Sequence, residues 1–280
     1  SMKRILSVVL LLLAVVGGLL LCDRATRRDD AERKFGSFFS EKQDIDVFFM
    51  GTSHVLDGVT PMELWRDYGI SAYNMATSSE TLGMTEQILK LCIQTHKPKV
   101  AVIDVYYIDK PDDLEWTYSY RHLFFDAVPL SPAKFDAVRA ILPKGEWLEF
   151  MMPFSLYHSR WEELLSGQSA RLVDCEPFMM GSEMRVGHGD PLPYTRTHNI
   201  AADELPGEAA LRRIIDTCRS NGIEPVLMAL PAPVSEEEQM EMNRAQLLAD
   251  ELGVPFLNLF DEDTGIDFYT DCYDYLGHMN

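Results

Sequence analysis

The stretch Asp46-Val-Phe-Phe-Met-Gly-Thr-Ser-His54 decides how the chain is read. Four apolar residues in succession, Val47 to Met50, predict a short strand buried on both faces. Gly51 ends it, and Thr52, Ser53 and His54 follow on a turn. Thr60 and Pro61 then suit the N-cap and first position of a helix that starts Pro61-Met-Glu-Leu-Trp65. A hydroxyl just past the carboxyl end of a first strand stands where open α/β sheets bind ligands. The Oγ of Ser53 is therefore a candidate nucleophile, with nearby backbone N–H groups to face an oxyanion. Gly-Thr-Ser also reads as a plain polar strand-to-helix turn, and the rest of the chain weighs between the two.

Outward from that stretch, strands alternate with helices. Ile70-Ser-Ala-Tyr-Asn-Met-Ala76 is a second strand ending in Thr77-Ser78-Ser79. Glu80 to Thr95 carries an apolar helical face, stopped at His96-Lys-Pro98. Lys99-Val-Ala-Val-Ile-Asp-Val-Tyr106 is a strongly β third strand. Gly207 to Ser220 is a helix ended by Asn221-Gly222, and Glu224 to Pro231 is a fourth buried strand. Ser235-Glu-Glu-Glu238 reads as a capping box opening a helix to Leu252, and Val254 to Leu259 is a fifth strand. Glu236 and its neighbours suit a helix N-terminus without any functional reading. This rhythm predicts an α/β fold: three layers, αβα, around a five-stranded parallel, flavodoxin-like sheet. Residues after strands one, two, three and five gather at one edge of such a sheet. Those positions hold Ser53, Asn74 to Ser79, Tyr106-Tyr107 and the last segment, Asp267 to Asn280.

Between Asp109 and about Asp203 the pattern is irregular and rich in aromatics, methionine and proline. It reads as a cap of short helices and loops packed on the domain, with a membrane-facing apolar cap as the alternative. Within it, Tyr157-His158-Ser159-Arg160-Trp161 combines donors with aromatics. His158 and Arg160 are candidates for a substrate groove; equally, Arg160 serves a salt bridge and Trp161 the core. Met179-Met180 reads as core or interface, and His188 and His198 as loop residues without chemistry. His54 points away from the site if the turn continues as a strand, and is expected to be structural or a pocket wall.

The chain of 280 residues is globular in composition, 46% hydrophobic and 25% charged. Its net charge of −19 repels nucleic acid, so no nucleic-acid partner is expected. The same charge argues against a polyanion as a tight-binding substrate. Lys3 and Arg4 precede an apolar run from Ile5 to Leu21, 17 residues, the low end for a bilayer-spanning helix. No small-residue cleavage site follows, so residues 1–22 read as an uncleaved membrane anchor. Leu19-Leu-Leu-Cys22 is a poor lipoprotein box, because Leu21 stands where a small residue belongs. Residues 23–43 are polar and charged and read as a juxtamembrane linker, leaving 44–280 as the folded domain. Counting basic residues, Lys3 and Arg4 against Arg24, Arg27 and Arg28, would keep the domain inside; functional grounds given next put it outside the cytoplasm. The five cysteines, Cys22, Cys92, Cys175, Cys218 and Cys272, show no metal or redox spacing, and one disulfide or none is expected. No metal and no cofactor are expected; a flavin is the remote option, and Gly51-Thr-Ser-His54 is too short for its phosphate loop.

Taken together these residues resemble the SGNH (GDSL-like) hydrolase superfamily, whose order the soluble part follows outside the cap. The family's nucleophile block is matched by Gly51-Thr52-Ser53, and its Asn-x-x-x-x-Gly block by Asn74-Met-Ala-Thr-Ser-Ser79. Its closing acid and base are matched by Asp274-Tyr-Leu-Gly-His278. The resemblance leans to membrane-anchored members that act on cell-surface polymers, such as the alginate O-acetylation and teichoic-acid D-alanylation proteins. It implies Ser53 as nucleophile, His278 as base and Asp274 as the orienting acid, with Asp271 and then Asp267 as rivals. It implies oxyanion support from the backbone of Ser79, with Asn74 or a tyrosine such as Tyr106 assisting. It departs from the family in three places: Ser79 replaces a glycine, the third-block Gly-x-Asn-Asp is absent, and one residue is added between acid and histidine. The implied function is an extracytoplasmic serine esterase or O-acyltransferase working on acyl esters of a surface glycan or teichoic-acid-like polymer, with a membrane acyltransferase as a partner. The departures keep a second expectation open, a non-catalytic accessory or glycan-binding subunit on the same fold.

Overall fold

The structure, a computed structural model, describes residues 2–165, 179–190, 196–260 and 264–280. Residues 166–178 and 191–195 of the expected cap, Cys175 included, lie outside the described residues. Five parallel strands form one sheet in the order β2-β1-β3-β4-β5: β1 (Val47–Met50), β2 (Ala72–Asn74), β3 (Val100–Asp104), β4 (Glu224–Ala229) and β5 (Phe256–Asn258). In register, Phe49 lies beside Asn74 on one side and Val102 on the other. The order reverses at β1, because the chain first steps outward to β2 and then crosses back to β3.

Right-handed crossovers convert that reversal into layers. The β1–β2 connection, α4 (Ser53–Gly58) and α5 (Pro61–Tyr68), covers one face; α6 (Leu82–Cys92), α12 (Glu208–Ser220) and α13 (Glu236–Leu252) cover the other. The protein is thus an α/β fold with a five-stranded, all-parallel sheet flanked by helices, in a three-layer flavodoxin-like arrangement. Strand residues alternate between the layers with period 2. Phe48, Met50, Ala101, Ile103 and Leu227 enter the larger core, while Phe49, Val102, Val226 and Met228 face the smaller one under α4. Local signals set several boundaries. Pro61 opens α5 behind Thr60, the Thr81 side chain caps α6, and Ser235 with Glu238 forms a capping box on α13.

Two segments differ from their sequence reading. Ser53 does not sit on a turn alone: it begins α4, in which Thr52 O accepts from Val55 N and Leu56 N. Residues 23–43 are not a free linker. The N-terminal helix α1 (Met2–Thr26) is followed by α2 (Asp29–Ala31), a π-helical turn (Glu32–Gly36) and α3 (Ser37–Ser40), which pack on the domain. Ala31, Phe35 and Phe38 are completely buried. Phe35 meets Phe124 edge-on at 4.8 Å, and Phe38 meets Phe48 and Tyr73 at 5.6 and 5.2 Å. The spacing 31, 35, 38 is one helical stripe, and it outweighs the charged residues between. Lys34, among them, is buried with its Nζ donating to Gly181 O, and burial pushes its ammonium down to about 7.

The stretch between β3 and β4 contributes α7 (Tyr118–Phe125), α8 (Pro132–Ile141), α9 (Trp147–Met151), α10 (Phe154–Tyr157) and α11 (Trp161–Leu165). Phe124, Phe125, Val138 and Phe150 join the larger core, which makes α7 to α9 an integral part of that layer.

Candidate active site

The site lies past the carboxyl ends of β1, β2 and β3, at the point where the strand order reverses. Gly51 leaves β1 with φ +147, and a Cβ there would collide with the Asp104 side chain, so glycine is required. Asp104 closes β3 and is itself buried. Its Oδ2 accepts from Thr52 N at 3.2 Å and Thr52 Oγ1 at 2.8 Å, and its Oδ1 from Tyr106 N at 3.1 Å. Burial raises the carboxyl to about 6, partly offset by these donors. Asp104 thereby ties the turn after β1 to the turn after β3 and fixes where α4 begins.

Ser53 is the first residue of α4, and its Oγ lies 2.6 Å from Nε2 of His278, 225 positions away. His278 Nδ1 lies 2.7 Å from Asp274 Oδ2. The Oδ1 of Asp274 accepts from the backbone N–H of Leu276 and of His278, at 3.0 and 3.2 Å. One carboxylate therefore closes its own loop and orients the imidazole. Just before the histidine, Gly277 turns the chain at φ +84 and against Pro233. Burial works to raise Asp274, but hydrogen bonding and charge from His278, with the two backbone donors, outweigh it and hold the carboxyl below its usual range. Asp271 turns elsewhere, accepting from Asp267 N and Thr270 Oγ1, and Asp267 accepts from Tyr269 N.

Aromatic groups hold the His278 ring. His54 stacks on it with centroids 4.5 Å apart, and Tyr273 lies nearly parallel to it at 5.6 Å. The helical start at Ser53 turns His54 inward, where Nε2 donates to Leu276 O at 3.0 Å and the ring also meets Tyr106 at 4.3 Å. Burial, together with His278, pushes the imidazole of His54 down to about 4, so it is neutral. The Tyr273 hydroxyl donates to Asp57 Oδ2 at 2.7 Å, and burial raises the Asp57 carboxyl.

The Ser53–His278 pair opens into a cleft of about 410 Å³ lined by Ser78, Ser79, Tyr106, Tyr107, Tyr120 and Arg185 among others. Ser79 stands at φ +55, the left-handed region that favours glycine. Ser79 thus holds a glycine-like backbone at the mouth of the cleft. Among the described residues, no acceptor takes the backbone N–H of Ser53 or of Ser79. Asn74 does not reach the cleft. It is buried at the end of β2, donates to Val55 O and Val59 O at 2.7 and 2.9 Å, and accepts from Ala76 N. It therefore braces α4 against β2 from behind. Glu80 shapes the following turn, accepting from Thr77 N, Thr77 Oγ1 and Thr85 Oγ1, and burial drives its carboxyl up to about 8.

The structure thus brings Ser53, His278, Asp274, Ser79 and Tyr106 to one cleft and sets Asn74 behind it. His158 and Arg160 are not among the residues lining it. Arg160 donates instead to Thr26 O and Arg27 O at 3.0 and 2.8 Å, and His158 meets Ser155 O, because α10 and the turn His158–Arg160 pack beside the N-terminal helix. Asp104, Glu80, Asp57 and Tyr273 escaped the sequence reading. Only Asp104 carried a signal, as a carboxylate closing the apolar run Val100-Ala-Val-Ile103. Among the described residues, no three His, Cys, Asp or Glu side chains gather as a metal-ligand set.

No family model matches the chain, and no curated protein matches it. Among solved structures, it is similar to a GDP-L-fucose synthetase from Naegleria fowleri at 9% identity and a TM-score of 0.18, over 84% of this chain and 86% of that one. The same enzyme bound to NADP aligns at 10% identity and a TM-score of 0.17, over 84% and 87%.

Proposed function

We propose that the protein is a serine esterase or O-acyltransferase of the SGNH (GDSL-like) type. The observation that carries this reading is the Ser53–His278–Asp274 relay, 2.6 and 2.7 Å in its two steps, at the edge of the sheet where α/β folds bind ligands. Ser53 Oγ attacks an ester carbonyl while His278 Nε2 takes its proton. The negative charge that develops on the carbonyl oxygen is met by the backbone N–H groups of Ser53 and Ser79. His278 then returns the proton to the departing alkoxide, leaving the acyl group on Ser53. Water or an acceptor hydroxyl, deprotonated by His278, releases it. Asp274 keeps Nδ1 protonated and favours the imidazolium formed at each transfer.

The substrate class follows from the resemblance to membrane-anchored members and from the N-terminal helix. Met2–Thr26 is long and apolar enough to cross a membrane. In this reading it anchors a domain outside the cytoplasm, acting on acyl esters of a surface glycan or teichoic-acid-like polymer, with a membrane acyltransferase as the acyl-donating partner. Four tyrosines along the cleft, Tyr106, Tyr107, Tyr120 and Tyr273, suit stacking against sugar rings. The same tyrosines, with the missing side-chain amide in the third block, favour a second reading: a glycan-binding subunit without turnover. A fluorophosphonate probe separates the two. Labelling of the native chain and its loss in Ser53→Ala are expected; a native chain that resists the probe overturns the enzyme reading.

A further inference from the structure

The apolar run Ile5–Leu21 ends two residues before Asp23, the first carboxylate of the chain. Asp23 is buried, with Thr26, at the end of a helix whose apolar run holds no buried residue. Its Oδ1 accepts from Phe154 N, the first residue of α10, at 2.9 Å. One turn further on, Thr26 O and Arg27 O accept from Arg160 Nη1. The end of the spanning helix is therefore clamped by the segment Phe154–Arg160. At about 1.5 Å rise per residue, that clamp begins roughly 3 Å beyond the last apolar residue of the span. A bilayer crossed by Ile5–Leu21 would therefore meet the cap directly at its headgroup layer rather than through a tether.

Beside Ser155, His158, Ser159 and Glu162, the cap exposes large apolar side chains there. Leu148, Leu156, Trp161 and Leu165, on α9 to α11, are solvent-exposed. Tryptophan and leucine on short helices are the side chains that suit the boundary between headgroups and acyl chains. Of the basic residues near the clamp, Arg27 pairs with Asp23 and Glu32 and Arg28 with Asp30, while Arg24 is exposed on α1 and α9 to α11 themselves carry only Arg160, which is bonded to the Thr26 and Arg27 carbonyls. The segment therefore offers apolar insertion rather than attraction to anionic headgroups.

We propose that α9 to α11 form a membrane-docking surface, which seats Trp161 and its leucine neighbours in the interfacial layer of the bilayer that α1 spans. The proposal rests on the anchor part of the preceding section and is independent of the chemistry at Ser53. Tyr120, on α7, lines the cleft, and α7 packs against α9, so the cleft and the docking surface are carried by neighbouring helices.

The test uses the full chain reconstituted in phosphatidylcholine vesicles, with matched vesicles whose acyl chains carry bromine near the headgroup. Flotation comes first; a chain that stays in the aqueous fraction overturns the anchor and the docking surface together. In floating protein reduced to Trp161 by replacing Trp65, Trp116 and Trp147 with Phe, brominated lipid should cut the fluorescence at least about twofold. Should that triple variant misfold by circular dichroism, Trp161→Phe alone answers the question, because it should remove part of the quenching seen in the native chain. Trp65→Phe should leave that quenching intact. Quenching should not depend on phosphatidylglycerol. Floating protein whose Trp161 escapes bromine while remaining open to aqueous acrylamide overturns the proposal and leaves the anchor standing. So does a Trp161 shielded only as protein density rises, which would mean a second copy covers the face.

Discussion

Replacing Asp104 should damage stability and reactivity together, because one buried carboxylate serves three donors on two turns. Asp104→Ala leaves Thr52 N, Thr52 Oγ1 and Tyr106 N without acceptors, from hydrogen bonds of 3.2, 2.8 and 3.1 Å. At about 1 kcal/mol net for each bond, the loss is about 3 kcal/mol. For a domain of this size that corresponds to a fall in Tm of roughly 6–12 °C. Asp104→Asn can keep both Thr52 bonds through its carbonyl oxygen but turns an NH2 toward Tyr106 N, so it should lose about 1 kcal/mol. The same substitutions loosen the point from which α4 starts, and a displacement of about 1 Å at Ser53 is worth about 100-fold in rate. Urea denaturation at about pH 8, where Asp104 is ionised, gives the stabilities; ester turnover or fluorophosphonate labelling gives the rates. The expected order in both is native, then Asn, then Ala. An Asp104→Ala protein within about 1 kcal/mol of the native stability and labelled at the native rate would refute the clamp.

Ser53→Ala and His278→Ala should each abolish turnover with the fold intact by circular dichroism. Asp274→Asn should reduce turnover less than either, and Asp271→Asn should leave it unchanged; loss in the Asp271 variant alone would move the acid. Ser79→Gly should stay within about 0.5 kcal/mol of native stability, since relief of the φ +55 backbone offsets the freer unfolded chain, and should keep activity. Ser79→Val should lose both, and an active Val variant would remove Ser79 N–H from the oxyanion role. Glu80, ordinarily near 4.5, is driven up to about 8 by burial. The folded chain therefore holds a proton that the unfolded chain releases, and stability should fall as pH rises from about 5 to 7. Glu80→Gln should flatten that slope in denaturation curves; an unchanged slope would assign it to other groups. Above about 7, Lys34 acts in the opposite sense, since burial has lowered its ammonium.

The sheet was legible because its strands announce themselves. Val47 to Met50, Val100 to Ile103 and Val226 to Ala229 are unbroken apolar runs between turn residues, as a parallel strand buried on both faces requires. Pro61 at the first position of α5 and the Ser235-x-x-Glu238 capping box of α13 are written in the sequence. The N-terminal elements were hidden by composition. Asp29 to Ser40 reads as charge when residues are counted, and only the spacing of Ala31, Phe35 and Phe38 betrays a buried face. Whether that stripe packs depends on Phe124, Phe48 and Tyr73, which are remote in sequence. Arg160 and His158 show the same limit in reverse. Their chemistry suits a sugar groove, but where α10 lands is decided by the Asp23 carboxylate and the carbonyls of Thr26 and Arg27, which no local pattern in the cap records.

The choice between Asp271 and Asp274 was open on spacing alone, yet the loop contains the reason for it. An aspartate readily accepts from the backbone N–H two residues on, which closes a tight turn. Asp274 does this with Leu276, and the turn then brings the N–H of His278 to the same oxygen. With one oxygen spent on the loop, the other points at the His278 side chain four residues on. Asp271 makes its turn with the residues before it: its carboxylate accepts from Asp267 N and Thr270 Oγ1, and Asp267 O accepts from Asp271 N. Both its oxygens face backward along the chain. An acid can orient a histidine that follows it only if its turn also closes forward, as the Asp274 turn does through Leu276 and His278, with Gly277 at φ +84 letting the chain reverse just before the histidine. Gly277→Ala, strained at φ +84 and pressed against Pro233, should therefore uncouple His278 from Asp274 and lower turnover toward the Asp274→Asn level. Full activity in that variant, with Ser53 labelled at the native rate, would show that the acid–base pair does not depend on this turn.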